Sequence, residues 1–172
     1  LLGGKSILNK IFDLFFSPKI FFKDSRFGPF DAIFVTLLIW IVNMIIIFPT
    51  FKNMPLFGGF IPFAIVVLVL LFIYELFSGV IHKFLSKDQN VFWGLPYALV
   101  PHILTGWIIS VAIFWEVAYI FLIIPIAWSV ILEFYLVRSS TGRGILYTLV
   151  IRASRDLVFF AVLSFILRRW FL

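Results

Sequence analysis

Apolar residues fill this chain in long runs, and the polar residues collect in short gaps between them. A helix needs about 20 mainly apolar residues to cross about 30 Å of hydrocarbon. On that measure the runs predict five transmembrane helices, at Phe30–Phe51, Phe60–Phe84, Leu95–Phe114, Val117–Val137 and Ile151–Trp170. Turn residues separate them: Pro55, Gly58 and Gly59 after the first, Ser86 to Asn90 after the second, and Ser139 to Gly142 after the fourth. The third connection, near Trp115 and Glu116, is tight. Connections this short force neighbouring helices antiparallel, so the pattern predicts an all-α, polytopic membrane helical bundle.

The stretch from Lys5 to Phe22 has a different period. Ser6, Asn9, Lys10, Asp13 and Ser17 recur at three- and four-residue steps among isoleucines, leucines and phenylalanines. That spacing predicts an amphipathic helix lying in the headgroup plane, broken or kinked at Pro18, with Lys19, Lys23 and Arg26 facing lipid phosphates. The alternative is a helix packed on the rest of the bundle. The interleaved lysines and phenylalanines do not read as a signal peptide, which needs one unbroken apolar core. The chain thus divides into a cytoplasmic-face segment, residues 1–29, and a membrane domain, residues 30–172.

Composition narrows the class. Hydrophobic residues make up 63% of the chain and charged residues only 13%, against about 25% charged in soluble domains. The absence of cysteine excludes disulfides, thiolate metal sites and cysteine nucleophiles. A net charge of +6 sits in the flanks of the apolar runs, which points to anionic lipid headgroups as partners and not to nucleic acid.

The same flanks set orientation, because cytoplasmic segments keep the excess of lysine and arginine. Lys5, Lys10, Lys19, Lys23 and Arg26 precede the first span, Lys83 and Lys87 lie at the second connection, and Arg138 and Arg143 at the fourth. Lys52, Arg168 and Arg169 fall on the other side. A multi-pass cell-membrane protein with a cytoplasmic N-terminus and an external C-terminus is expected. The fifth span carries Arg152, Arg155 and Asp156, each costing about 2.5–3.5 kcal/mol at the membrane centre. From Arg155 to Arg168 is about 20 Å of helix, short enough for arginines at both ends to snorkel to their interfaces. Without that span the chain would have four crossings and both ends on one side.

Polar residues inside the spans carry the functional information. Glu75, Ser78, Gly79 and His82 fall on one predicted helix face, and His102, Thr105, Gly106 and Ser110 on another. Gly79 and the small-xxx-small pair Gly106 and Ser110 are helix-packing positions. Depth places Glu75, His102 and Glu133 in the cytoplasmic half, where Arg152, Arg155 and Asp156 enter. The expected centre is a polar cluster of Glu75, His82, His102, Glu133, Arg152, Arg155 and Asp156. It reads as ion pairing that fixes helix register, as a proton relay or lipid-headgroup site, or as a divalent-metal site, the last lacking any H-x-x-x-H spacing. Neither a metal nor another cofactor is expected.

Enzyme signatures are missing: no H-E-x-x-H, no G-x-S-x-G and no glycine-rich phosphate loop. The order of features instead resembles the Yip family, the Ypt/Rab-interacting integral membrane proteins, in its prokaryotic branch. The resemblance rests on Phe15-Phe16-Ser17-Pro18-Lys19, on Glu75-Leu76-Phe77-Ser78-Gly79, and on Leu95 to Pro101, where Tyr97, Ala98 and Pro101 match a Gly-Tyr-Ala-x-x-Pro motif and Pro96 replaces its glycine. Phe27, Gly28 and Pro29 are similar to the end of the family's Asp-Leu-Tyr-Gly-Pro, with the acid displaced to Asp24. The resemblance implies five spans, a cytoplasmic N-terminus and no catalytic activity. The expected function is a noncatalytic scaffold or accessory subunit that binds other membrane proteins or itself. The alternative is a small transporter or lipid-handling protein using the polar cluster, with a cavity reaching the cytoplasmic side.

Overall fold

The computed structural model describes residues 7–51, 59–86 and 89–171. Every regular element among them is helical: α1 (Ile7–Phe16), α2 (Pro18–Asp24), α3 (Pro29–Phe51), α4 (Phe60–Ser86), α5 (Gln89–Ala98), α6 (Thr105–Ala112), α7 (Ile123–Thr141) and α8 (Ile145–Phe171). Two 3₁₀ turns, Val100–Leu104 and Glu116–Leu122, join α5 to α6 and lead into α7.

Local chemistry sets these boundaries. Ser17 leaves helical geometry at φ −146°, and Pro18 opens α2, where its missing N–H costs nothing. Pro29 opens α3 in the same way. Gly142 ends α7 in the left-handed region at φ 69°, its N–H bonded to the Arg138 carbonyl at 2.9 Å. Of the predicted connections, Lys52, Pro55 and Gly58 in the first and Lys87 in the second lie outside the described residues, as does Lys5 before α1.

Two predicted spans are not continuous α-helices. Residues predicted as Leu95–Phe114 form α5, a 3₁₀ turn and α6, because Pro96 and Pro101 remove two backbone donors within one stretch. The fourth begins with the 3₁₀ turn at Glu116 and runs on to Thr141.

Among the described residues four stretches are long and apolar enough to cross a membrane: Pro29–Thr50, Phe60–Phe84, Val91–Ala112 and Glu116–Thr141. The fifth expected crossing is not among them. Its residues lie in α8, which starts earlier than predicted, at Ile145, and is as long as α4, but Arg152, Arg155 and Asp156 interrupt its apolar sequence.

The broken helix α5–α6 is the centre of the packing. α5 touches α3, α4 and α7, α6 lies against α3, and α8 packs on α7 and α4. Tyr97, Leu95, Leu132 and Leu136 form the core with Leu14 and Phe22. Gly94 is required there, since a Cβ would lie 2.7 Å from Leu136 Cδ1 and 2.8 Å from the Phe27 ring. α1 and α2 bury Leu14, Phe21 and Phe22 in this core, leave Phe12, Phe16 and Ile20 exposed, and anchor Lys10 to Asp31 at 2.9 Å. The outer surface is apolar: α4 alone exposes Ile61, Ile65, Val69, Ile73, Val80 and Phe84.

Candidate functional site

Three helices each carry one row of polar side chains, and the rows meet. On α4 the row is Tyr74, Ser78 and His82; on α7 it is Ser129 and Glu133; on α8 it is Arg152, Arg155 and Asp156. Steps of three and four keep each row on one helix face.

Glu133 is the hub and is wholly buried. Its Oε1 accepts a hydrogen bond from Arg155 Nη1 at 2.8 Å and lies 2.9 Å from His82 Nε2; its Oε2 accepts from Arg152 Nη1 at 2.8 Å. The second Arg152 nitrogen donates to Ser129 Oγ at 2.8 Å. Arg155 also donates to the Tyr74 hydroxyl and to Asp156 Oδ1, and the Tyr74 hydroxyl donates to the same Asp156 oxygen. Two guanidinium groups therefore face two carboxylates, so no net charge is left by these four groups. Burial of ions costs several kcal/mol each, and only such saturated pairing offsets it. Both Glu133 oxygens are thus engaged, and the carboxylate clamps α4, α7 and α8 together.

Glu75 and His102, expected in the same cluster, make no hydrogen bond to it, although His102 borders the same cavity as Arg152 and Asp156. Glu75 turns toward α3, where Thr36 Oγ1 bonds its Oε2, and its other oxygen is buried without a partner. The reason is rotation. Glu75 follows Tyr74, so at that level of α4 it points about 100° away from the side chain turned to α8; it shares a face with His82 but stands about 10 Å from it along the helix axis. The imidazole of His102 makes one long contact, 3.4 Å to Thr105 Oγ1.

The broken helix is held by a residue the sequence reading passed over. In a continuous α-helix the Gly106 N–H would bond the His102 carbonyl. Instead Asn43 of α3 bridges them, its Nδ2 donating to the His102 carbonyl at 3.0 Å and its Oδ1 accepting from Gly106 N. Gly106 makes the approach possible, since a Cβ there would sit 2.7 Å from Asn43 Oδ1. Ser110 Oγ reaches the Ile46 carbonyl at 3.5 Å, and the Phe92 ring lies where a Gly79 Cβ would stand, at 2.6 Å. Tyr74, Ser129 and Asn43 were absent from the expected set. Ser129 stands four residues before Glu133 and Tyr74 eight before His82, a spacing that would have found both; Asn43 has no such signal.

The residues behind the family resemblance also meet. The Phe27 and Tyr97 rings lie 5.0 Å apart, with Ala98 and Pro101 buried beyond them, and the Tyr97 hydroxyl is 3.4 Å from Asp31 Oδ1. Gly28 and Pro29 form the step from Phe27 into α3, the Gly28 carbonyl accepting from Ala32 N at 3.1 Å. Among the described residues no group of three or more histidines, aspartates or glutamates is placed to hold a metal ion.

Beside the clamp lies a cavity of about 680 Å³ between α3, α4, α6 and α8. Its walls are apolar, including Ile47, Phe63, Ile109 and Leu163. Its polar groups are His102, Thr105, Tyr74, Arg152, Asp156 and Asn43. A volume of roughly 300–1,000 Å³ with mostly apolar walls and a few polar groups is the usual form of a small-molecule site. No family model matches the chain, and no curated protein or solved structure does either.

Proposed function

We propose that this protein binds an amphiphilic lipid within the bilayer and is a lipid-handling membrane protein without catalytic activity. The observation that carries this reading is the cavity of about 680 Å³, apolar along its length and edged by His102, Thr105 and Asp156. Space of that size between helices in hydrocarbon is filled by lipid or by side chains, and here side chains leave it open. In this reading α8 is the fifth crossing, tolerated because Glu133 and Asp156 together neutralise Arg152 and Arg155. α1 and α2 then lie at the cytoplasmic interface with Lys19, Lys23 and Arg26 toward anionic headgroups, and the C-terminus is external.

The test is native mass spectrometry of the protein purified from membranes, beside an Ile109→Trp variant that fills the apolar wall. Retained lipid on the parent, lost in a variant of unchanged helical content, is expected. Identical adducts on both, or none on either, would contradict the proposal.

A second reading is favoured by α4. Its apolar stripe from Ile61 to Phe84 is largely uncovered, with only 11% of an 18-residue stretch of this span buried inside the fold. That supports a scaffold or accessory subunit, as the Yip resemblance implies, pairing with another membrane protein or a second copy along α4. Crosslinking at Val69 in native membranes that returned monomer alone would remove it.

A further inference from the structure

The depth and charge of the cavity's polar groups narrow the class of lipid, an inference that rests on the lipid-binding reading above. Tyr74 lies about 21 Å along α4 from Phe60, at 1.5 Å per residue, which is near the middle of a 27-residue helix. Asp156 lies about 16 Å from the start of α8, and Arg152 about 10 Å. The polar groups are thus near mid-membrane, and the apolar walls continue past them toward Phe63 and Leu163 for about 16 Å along α4.

Ordinary phospholipids hold their charged headgroups at the interface. A charged head brought to this depth would need an opposite charge to meet it. The cavity offers none: Arg152 is bound to Glu133 and Ser129, Asp156 to Arg155 and Tyr74, and the two arginines and two carboxylates balance. What does face the space is hydrogen-bonding capacity from one imidazole and from one carboxylate whose charge Arg155 already meets. The His102 imidazole is held only by its long contact to Thr105, and Asp156 keeps 30% of its side chain accessible as an acceptor.

We infer that the site takes an uncharged membrane amphiphile: a long hydrocarbon or isoprenoid tail ending in a carbonyl head that accepts from His102 or Thr105, or a hydroxyl head that also donates to Asp156. The tail would run toward Ile47, Phe63 and Leu163. Quinones, long-chain alcohols and glycerides share this chemistry.

The experiment titrates the purified protein, in a nonionic detergent, with a decyl-substituted benzoquinone, dodecanol, dodecyl phosphate and dodecylamine, following thermal unfolding and tryptophan fluorescence. Trp40, on the cavity wall, is a built-in reporter. The expected result is saturable binding of the two uncharged probes, at least tenfold tighter than of either charged one. His102→Phe, which leaves the Glu133 clamp intact, is expected to weaken the uncharged probes tenfold or more. Tighter binding of dodecyl phosphate or dodecylamine, lost in Ile109→Trp, would keep the cavity and overturn the uncharged head. No saturable binding by any probe would overturn both.

Discussion

Arg155 and Glu133, from neighbouring helices, meet at 2.8 Å with both side chains shut away from the surroundings, 1% and 0% exposed. Arg152 closes the other side of the same carboxylate. Removing the hub leaves two guanidinium groups in an apolar interior with one partial partner, and breaking a buried pair in this way costs about 3–5 kcal/mol. Glu133→Leu is expected to lose that much stability, or not to fold, as read by thermal unfolding in detergent. Arg155→Met should cost about as much. A Glu133→Leu protein as stable as the parent would show the clamp to be inert.

Glu75 is expected to behave in the opposite way. It bonds Thr36 and faces no cation, so Glu75→Gln keeps a partner for the hydroxyl and relieves the bundle of an unpaired carboxyl. A change within about 0.5 kcal/mol, or a gain, is predicted by the same unfolding measurement. A loss comparable to that of Glu133→Leu would mean that an ion pair forms at Glu75.

The Asn43 bridge makes a third claim. Asn43→Leu strands the Gly106 N–H, at about 1–3 kcal/mol for a group left unpaired, and leaves the His102 carbonyl with the Thr105 N–H alone. Gly106→Ala pushes a methyl against the Asn43 backbone, 3.1 Å from its Cα, and should destabilise to a similar degree by parting α3 from α6. If both variants unfold with the parent, the break between α5 and α6 needs no support from α3.

Topology is open to a clean test because the chain has no cysteine. Ser140→Cys, at the end of α7, and Leu172→Cys are expected to react with a membrane-impermeant maleimide from opposite sides of sealed vesicles. Labelling of both from one side would return the chain to four crossings.

How far the sequence reached depended on the kind of signal. Glu133, Arg152 and Arg155 stand out because a charge within an apolar run has few places to go except toward another charge. Glu75 shares a helix face with His82, as its spacing says, but at its own level of α4 the side chain that meets α8 is Tyr74, and Glu75 meets α3. The split of the third span was masked by its hydropathy, which the 3₁₀ turn at Val100–Leu104 leaves unchanged. The cavity had no sequence signal, since its walls come from residues on several helices that no residue pattern ties together.

The most direct test is a crystal structure of the protein grown in a lipid mesophase. The account predicts continuous density for a lipid in the space between α3, α4, α6 and α8, with its head against His102 and Asp156. A collapsed interface, with Leu163 packed directly on Ile109 and no room between them, would contradict it.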